Sequence, residues 1–257
     1  MRWFTDRFYR EGAGISKDEP KKRGLALLWQ VIRREFWELF KLNFFIIIFS
    51  LPLITIPAAY AAATAISVKM VEDENVYLWR DFIDNFRRLF WRASLAGFGF
   101  AAAITLGVYA CYIYAQLILE QMIYIVPLML SVAVSILITL ICAQYYVGLA
   151  RFDLSIFELL KSSALSILAR PIPALAGLVA VLSLWLAHIV FYPISIFMPA
   201  IFLFSFGALL MTFALRNNTH FVFGHSTLEG EQRRGADNFA NVQKAHKHKR
   251  ETITCEI

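Results

Sequence analysis

The sequence predicts an all-α, polytopic helical membrane protein with about five transmembrane segments and amphipathic interfacial helices between them. Three observations predict it. Charge is scarce: 17% of the 257 residues are Asp, Glu, Lys or Arg, against roughly 25% in a soluble domain. It is also unevenly placed. Residues 43–68, 93–119, 121–150 and 171–215 contain no charged side chain, and each window exceeds the ~20 apolar residues that cross a bilayer. Finally, the 25 Lys and Arg flank these windows, ten in 1–42, five in 69–92, three in 151–170 and seven in 216–257. Such flanking is expected of side chains held at an anionic inner leaflet. The net charge of +6 therefore reads as topology and lipid contact, and nucleic acid is not an expected partner. A large water-soluble core is excluded.

The expected organisation is an N-terminal tail and amphipathic helix (1–42), a membrane domain (43–215) and a polar C-terminal tail (216–257). Residues 1–24 carry Gly12, Gly14, Pro20 and a Lys21-Lys22-Arg23 run and read as flexible. Their Trp3, Phe4, Phe8 and Tyr9 suit an interface. Over 25–42, Leu25, Leu28, Trp29, Ile32, Phe36, Leu39 and Phe40 recur at helical spacing, with Arg33, Arg34, Glu38 and Lys41 between them. This is an amphipathic helix suited to lying in the interface. With a polar lead of this length, no cleavable signal peptide is expected.

The first apolar segment, about 43–69, carries Pro52 and Pro57 in its middle, with Thr55 between them. Proline removes a backbone donor and clashes with the preceding turn, and in hydrocarbon the freed carbonyls need partners. The segment is thus a kinked crossing or a re-entrant hairpin. An acidic turn, Glu72-Asp73-Glu74, follows. From Tyr77 to Arg92 the spacing predicts a second amphipathic helix. Trp79, Phe82, Ile83, Phe86, Leu89 and Phe90 form its apolar face; Arg80, Asp81, Asp84, Arg87, Arg88 and Arg92 form its polar one. The plain reading is an interfacial anchor, the sharper one a docking surface.

Spans are expected at about 94–119 and 122–148, joined by a short turn at Glu120-Gln121. Gly97, Gly99 and Gly107 offer faces for close helix approach. Arg151-Phe152-Asp153 opens the next polar break, where Asp153 or Ser155 can cap a helix to about Leu168. Arg170-Pro171 and Pro173 end it. Two further spans, about 173–191 and 194–215, turn at Pro193. The order of amphipathic helix then paired spans occurs at 77–148 and again at 153–215, which suggests an internal duplication.

Few residues carry chemistry. Cys111, Cys142 and Cys255 show no ligand spacing and imply no disulfide framework. His246-Lys247-His248-Lys249 has two histidines without further ligands, where closed metal sites want four. No nucleophile has a base at workable spacing, and His188, near a membrane end, reads as an interfacial side chain. No catalytic, cofactor-binding or metal-binding residue is identified, no cofactor is expected, and the chain does not read as an enzyme. The polar inventory of the windows is Asn43, Ser50, Thr55, Thr64, Thr105, Ser131, Ser135, Thr139 and Gln144. Scattered hydroxyls in spans more often bond neighbouring helices than line a path.

Leu51-Pro52-Leu53-Ile54-Thr55-Ile56-Pro57 with the following alanines, then Val68 to Glu74, then Asp81-Phe82 and Phe86, resemble the YesL family of bacterial membrane proteins. So does Tyr146-Val147-Gly148-Leu149-Ala150-Arg151-Phe152-Asp153. The resemblance covers roughly 25–215, with Pro57 standing where the family pattern has glycine. That family has no assigned molecular function. Its members tend to be encoded beside carbohydrate ABC importers and glycan-degrading enzymes, so the resemblance implies an accessory role in sugar uptake and a bacterial cell-membrane location. Beyond the lipid bilayer, it points to an ABC importer permease or another membrane protein as partner. The alternative is a small transporter or channel component acting on its own. Candidate structural or docking residues are Pro52, Thr55, Pro57, Asp81, Phe82, Phe86, Arg151, Phe152 and Asp153. The positive-inside rule puts both amphipathic breaks and the C-terminal tail in the cytoplasm. For 43–69 the basic N-terminal lead favours re-entry and the length favours a crossing. A kinked crossing is the expectation carried forward, because five spans also match the resemblance.

Overall fold

The computed structural model describes residues 24–118 and 120–218, which contain helices and turns and no strand. The two tails, with the His246–Lys249 run, lie outside the described residues. Among the described residues eight helices follow in order: α1 Leu25–Arg34, α2 Phe36–Phe49, α3 Ile56–Glu72, α4 Leu78–Leu117, α5 Ile125–Arg151, α6 Ile156–Ala169, α7 Pro171–Val190 and α8 Pro199–Asn218. Five stretches are long and apolar enough to cross a membrane: Leu53–Glu72, Leu78–Leu117, Met122–Arg151, Pro171–Val190 and Pro199–Asn218.

The amphipathic lead bends once, at Glu35 (φ −98°, ψ 15°), so α1 and α2 are two helices and Asn43 sits in the middle of the second. After Phe49 the chain breaks. Pro52 is extended (φ −77°, ψ 117°) and Leu53–Thr55 forms one 3₁₀ turn. Pro57 occupies the first turn of α3, where a missing N–H leaves no helical bond unmade. The Thr55 hydroxyl lies 2.5 Å from the Phe49 carbonyl and 2.6 Å from the Pro52 carbonyl, so the groups freed by the break are capped locally.

The expected kinked crossing over 43–69 gives way here to a helical hairpin. Arg34 pairs with Asp73 and donates to the Met70 carbonyl at 3.2 Å, which sets the start of α2 beside the end of α3. Both limbs therefore begin and end at one end of the bundle. Asp73 closes α3 in the left-handed region (φ 68°), a conformation that Asp tolerates better than most residues.

Burial separates α3 from the other apolar helices. In its most apolar window 67% of residues are buried, against 6% in α4, 6% in α5 and 11% in α7. Ala58, Ala59, Ala61, Ala62 and Ala63 are wholly enclosed. Small side chains let neighbouring backbones approach closely. So α3 is the core strut of the bundle, and α4, α5 and α7 carry the lipid-facing belt of Leu95, Leu106, Val126, Leu130, Val179 and Leu186.

The expected helix at 77–92 and the expected span after it are one 40-residue helix, α4. Its first turns pack Phe82 and Phe86 against Phe45 and Phe49 of α2, with ring centroids 5.1–5.4 Å apart. Its later turns run antiparallel to α5. There Tyr145 and Tyr146 hydroxyls reach the Arg92 and Ala93 carbonyls at 3.4 Å, and Cys111 meets Ser131 at 3.2 Å.

Phe152 (φ −126°, ψ 135°) stops α5. Of the two cap candidates, Ser155 serves. Its hydroxyl accepts from Glu158 N–H at 3.3 Å, and the Glu158 carboxylate accepts from Ser155 N–H at 3.2 Å, a capping box. The Ser155 hydroxyl and N–H hold the Glu158 carboxyl below the usual carboxylate value. Asp153 is exposed and pairs instead with Arg92 at 3.4 Å.

α6 lies across α5. Leu159 belongs to one buried cluster with Tyr145 and Leu149, and Ile167 to another with Leu140 and Val147, so both clusters join α6 to α5. A break at Arg170 (φ −142°, ψ 76°) then redirects the chain into α7. The two units of the suggested duplication thus differ in one respect: the first amphipathic segment continues unbroken into its span, and the second is separated from its span at Arg170. α7 and α8 pair through Gly177, where an added Cβ would lie 2.8 Å from Ala214 Cβ, and through the Trp185–Phe204 ring contact at 5.9 Å. Residues 191–198 connect them, with a cis peptide at Tyr192–Pro193.

Candidate functional site

Three features of the bundle go beyond packing: a polar clasp on a helical bulge, a lattice of ion pairs, and two apolar hollows.

The clasp is Asn43. α8 opens with a π-helical turn, Pro199–Leu203, which leaves carbonyls and amides out of register with the α-helical ladder. Asn43 is fully buried and satisfies both kinds. Its amide donates to the Pro199 and Ala200 carbonyls at 2.9 and 2.7 Å, and its carbonyl accepts from Phe204 and Ser205 N–H at 3.1 Å. One side chain thus ties the hairpin to the last helix.

The ion pairs gather at the end of the bundle where α3 stops. Lys69 reaches Asp81 at 3.0 Å, and Asp81 also accepts from Tyr77 N–H. Arg151 reaches Glu72 at 2.7 Å and donates to the Arg216 carbonyl at 3.1 Å. Arg34 holds both Glu35 and Asp73. Burial pulls the Arg34 guanidinium down, but its hydrogen bonds to the two carboxylates outweigh that and hold its pKa above the ordinary value. A cleft of about 460 Å³ lies among these groups, lined by Lys69, Glu72, Glu74, Asn85, Arg88 and Arg151. The exposed pairs contribute little, about 0–1 kcal/mol each. The Arg151 side chain is only 7% exposed, so removing Glu72 would take a carboxylate partner from a buried charge.

The first hollow is an apolar slot of about 420 Å³ between α4, α5, α7 and α8, closed above by the start of α3. The second is a groove of about 470 Å³ on the outside of the bundle. Ala96, Gly99 and Ala103 of α4 form one wall, Ile138 and Ile141 of α5 the floor, and Leu160 and Ala164 of α6 the other wall. A Cβ added at Gly99 would meet nothing within 4 Å.

The residues singled out from sequence fall into three groups. Pro52, Thr55 and Pro57 make the hairpin break. Asp81, Phe82 and Phe86 form one face of α4 turned into the bundle, with Asp81 6% and Phe82 1% exposed. Arg151 is likewise turned inward, Phe152 packs partly buried against the Tyr145–Leu149 cluster, and Asp153 alone of that trio faces outward. The Arg151 to Asp153 break is thus mainly an internal joint. His188 is half-buried beside Trp185, with Nδ1 unpaired among the described residues. The clasp role of Asn43 is absent from the sequence reading, as is the burial of Gln144, whose amide atoms find no partner among the described residues. An amide side chain at the edge of one charge-free window (Asn43) or inside another (Gln144) was the available signal, since such a group must be satisfied in hydrocarbon.

A family model described as "Protein of unknown function, DUF624" matches residues 42–110. The matched stretch begins one residue before the clasp and contains the hairpin break, α3, Asp81, Phe82, Phe86 and most of α4. No curated protein and no solved structure matches the chain.

Proposed function

We propose that this chain is an integral membrane accessory or scaffold subunit that binds laterally to another membrane protein. The observation that carries the reading is the outer groove. It is open, almost wholly apolar, and walled by Ala96, Gly99 and Ala103, which recur on one face of α4. Small residues of that kind let a second helix approach backbone to backbone, which is how helices associate where lipid is as apolar as any side chain. The resemblance to the YesL family names the partner class: the permease of a carbohydrate ABC importer in a bacterial cell membrane. The basic residues at the ion-pair end support a cytoplasmic side for that end.

Transport by the chain itself is the competing reading. The slot between the helix pairs gives that reading little support, because no acidic or basic side chain lines it.

The test is affinity purification of the full chain in mild detergent. Wild type is expected to bring down a sugar-importer permease. Gly99→Leu is expected to lower that recovery about tenfold while leaving expression and unfolding midpoint unchanged, because the added side chain enters open space. Equal recovery with Gly99→Leu would overturn the groove as the docking surface. Recovery of the chain alone, together with sugar flux in proteoliposomes, would overturn the accessory role.

A further inference from the structure

We infer that the slot between the two helix pairs holds one acyl chain of a membrane phospholipid. The slot is long and parallel to the helices. α4 lines it from Gly97 to Ile104, α5 from Thr139 to Tyr146, α7 from Leu178 to Trp185 and α8 from Leu203 to Met211. At 1.5 Å per residue each wall runs about 10–12 Å, most of the ~15 Å depth of one leaflet's hydrocarbon. Its direction is thus that of the surrounding lipid chains.

The slot also opens to them. Four of its lining residues are exposed as well, Ile56, Ala101, Trp185 and Phe204. Around this mouth the surface is apolar, with Leu53, Ile54, Leu182 and Leu186 all exposed. Whatever enters comes from the bilayer core. Elsewhere its lining is buried, as at Tyr146, Leu203, Ala208 and Met211.

The space exists because small residues line it. Ala101, Ala143, Gly207 and Ala208 stand where larger side chains would fill it. Left empty, a slot of about 420 Å³ would leave its apolar walls without the dispersion contacts that a filling group supplies. Water is a poor filler, because it needs several polar partners and the walls offer few. A hydrocarbon chain restores the missing contacts without any.

The experiment places the full chain in nanodiscs of a phospholipid with a diazirine in mid-chain, followed by photolysis and peptide mapping. Wild type is expected to carry adducts on slot residues around Ile104, Trp185 and Phe204, besides those on outward faces such as Leu106. Gly207→Leu is expected to lose the slot adducts at least fivefold and keep the outward ones. A Cβ there has only Val181 Cγ1 within reach, at 3.9 Å, so the leucine has room. Gly207→Ala, which leaves the slot open, is expected to keep both sets. Should Gly207→Leu fold poorly, Ala101→Phe fills the slot from α4. Adducts confined to outward faces in wild type, or slot adducts undiminished in a folded, filled variant, would overturn the inference. The outer groove, walled on α4 by Ala96, Gly99 and Ala103, is tested separately by partner recovery.

Discussion

Asn43 makes four hydrogen bonds to the first turns of α8, and every one is to backbone. Asn43→Leu keeps roughly the volume and removes all four. Each neutral hydrogen bond contributes about 1 kcal/mol net, and a stranded buried group costs about 1–3 kcal/mol. The bulge can recover part of this by relaxing toward an α-helical ladder. A loss of about 2–4 kcal/mol follows, read as a lowered unfolding midpoint in detergent. Phe44→Leu, one residue on and exposed, should change stability by under ~0.5 kcal/mol. Equal effects of the two would show that the clasp contributes nothing. The sequence marks Asn43 as polar at the edge of an apolar window and nothing more. Its partners lie 156 to 162 residues away, and no local pattern encodes a pairing at that distance. Ser155 shows the opposite case. Its cap was legible because the Ser-x-x-Glu spacing is itself the local geometry.

At the scale of elements, existence was legible and packing was not. The charge-free windows located α4, α5, α7 and α8, because length and apolarity are what a bilayer demands. They could not separate α3, whose composition matches a span but whose alanines are enclosed by other helices. The two prolines signalled a break, yet a kinked span and a hairpin share that signal. Only the partners of Arg34 decide between them. The tightest joint of α3 is with α4: a Cβ at Gly97 would sit 2.5 Å from Pro57 Cβ and 2.6 Å from the Tyr146 hydroxyl. Gly97→Ala should therefore destabilise by about 1–3 kcal/mol through overpacking. Pro57→Gly removes the ring that causes the clash. In a double-mutant cycle the pair should couple by about 0.5–3 kcal/mol, the double mutant losing less than the sum. Strict additivity in unfolding free energy would show that the two helices do not meet there.

For the whole molecule, the hairpin reorganises the charge. Arg33, Arg34 and Lys41 precede it; Lys69, Arg80, Arg87, Arg88 and Arg92 follow it; Arg151, Lys161, Arg170 and Arg216 flank the later spans. Had 43–69 crossed, the first three would stand across the membrane from the rest. With α2 and α3 returning to their starting end, every Lys and Arg among the described residues belongs to one end of the bundle, and Glu120 alone is charged at the other. That distribution is what the positive-inside rule selects, so the prolines, the ion pairs and the charge asymmetry agree on one topology. The conflict between charge and length in the sequence came from reading α3 by length alone. The arrangement predicts the outcome of cysteine labelling in a background with the native cysteines replaced. Gln30→Cys before the hairpin and Glu74→Cys after it are exposed positions and should react with an impermeant maleimide from the same side. Glu120→Cys, also exposed, should react only from the opposite side. If Gln30→Cys instead labels together with Glu120→Cys, residues 36–72 cross the bilayer, and the Arg34–Asp73 pair that defines the hairpin cannot exist in the membrane.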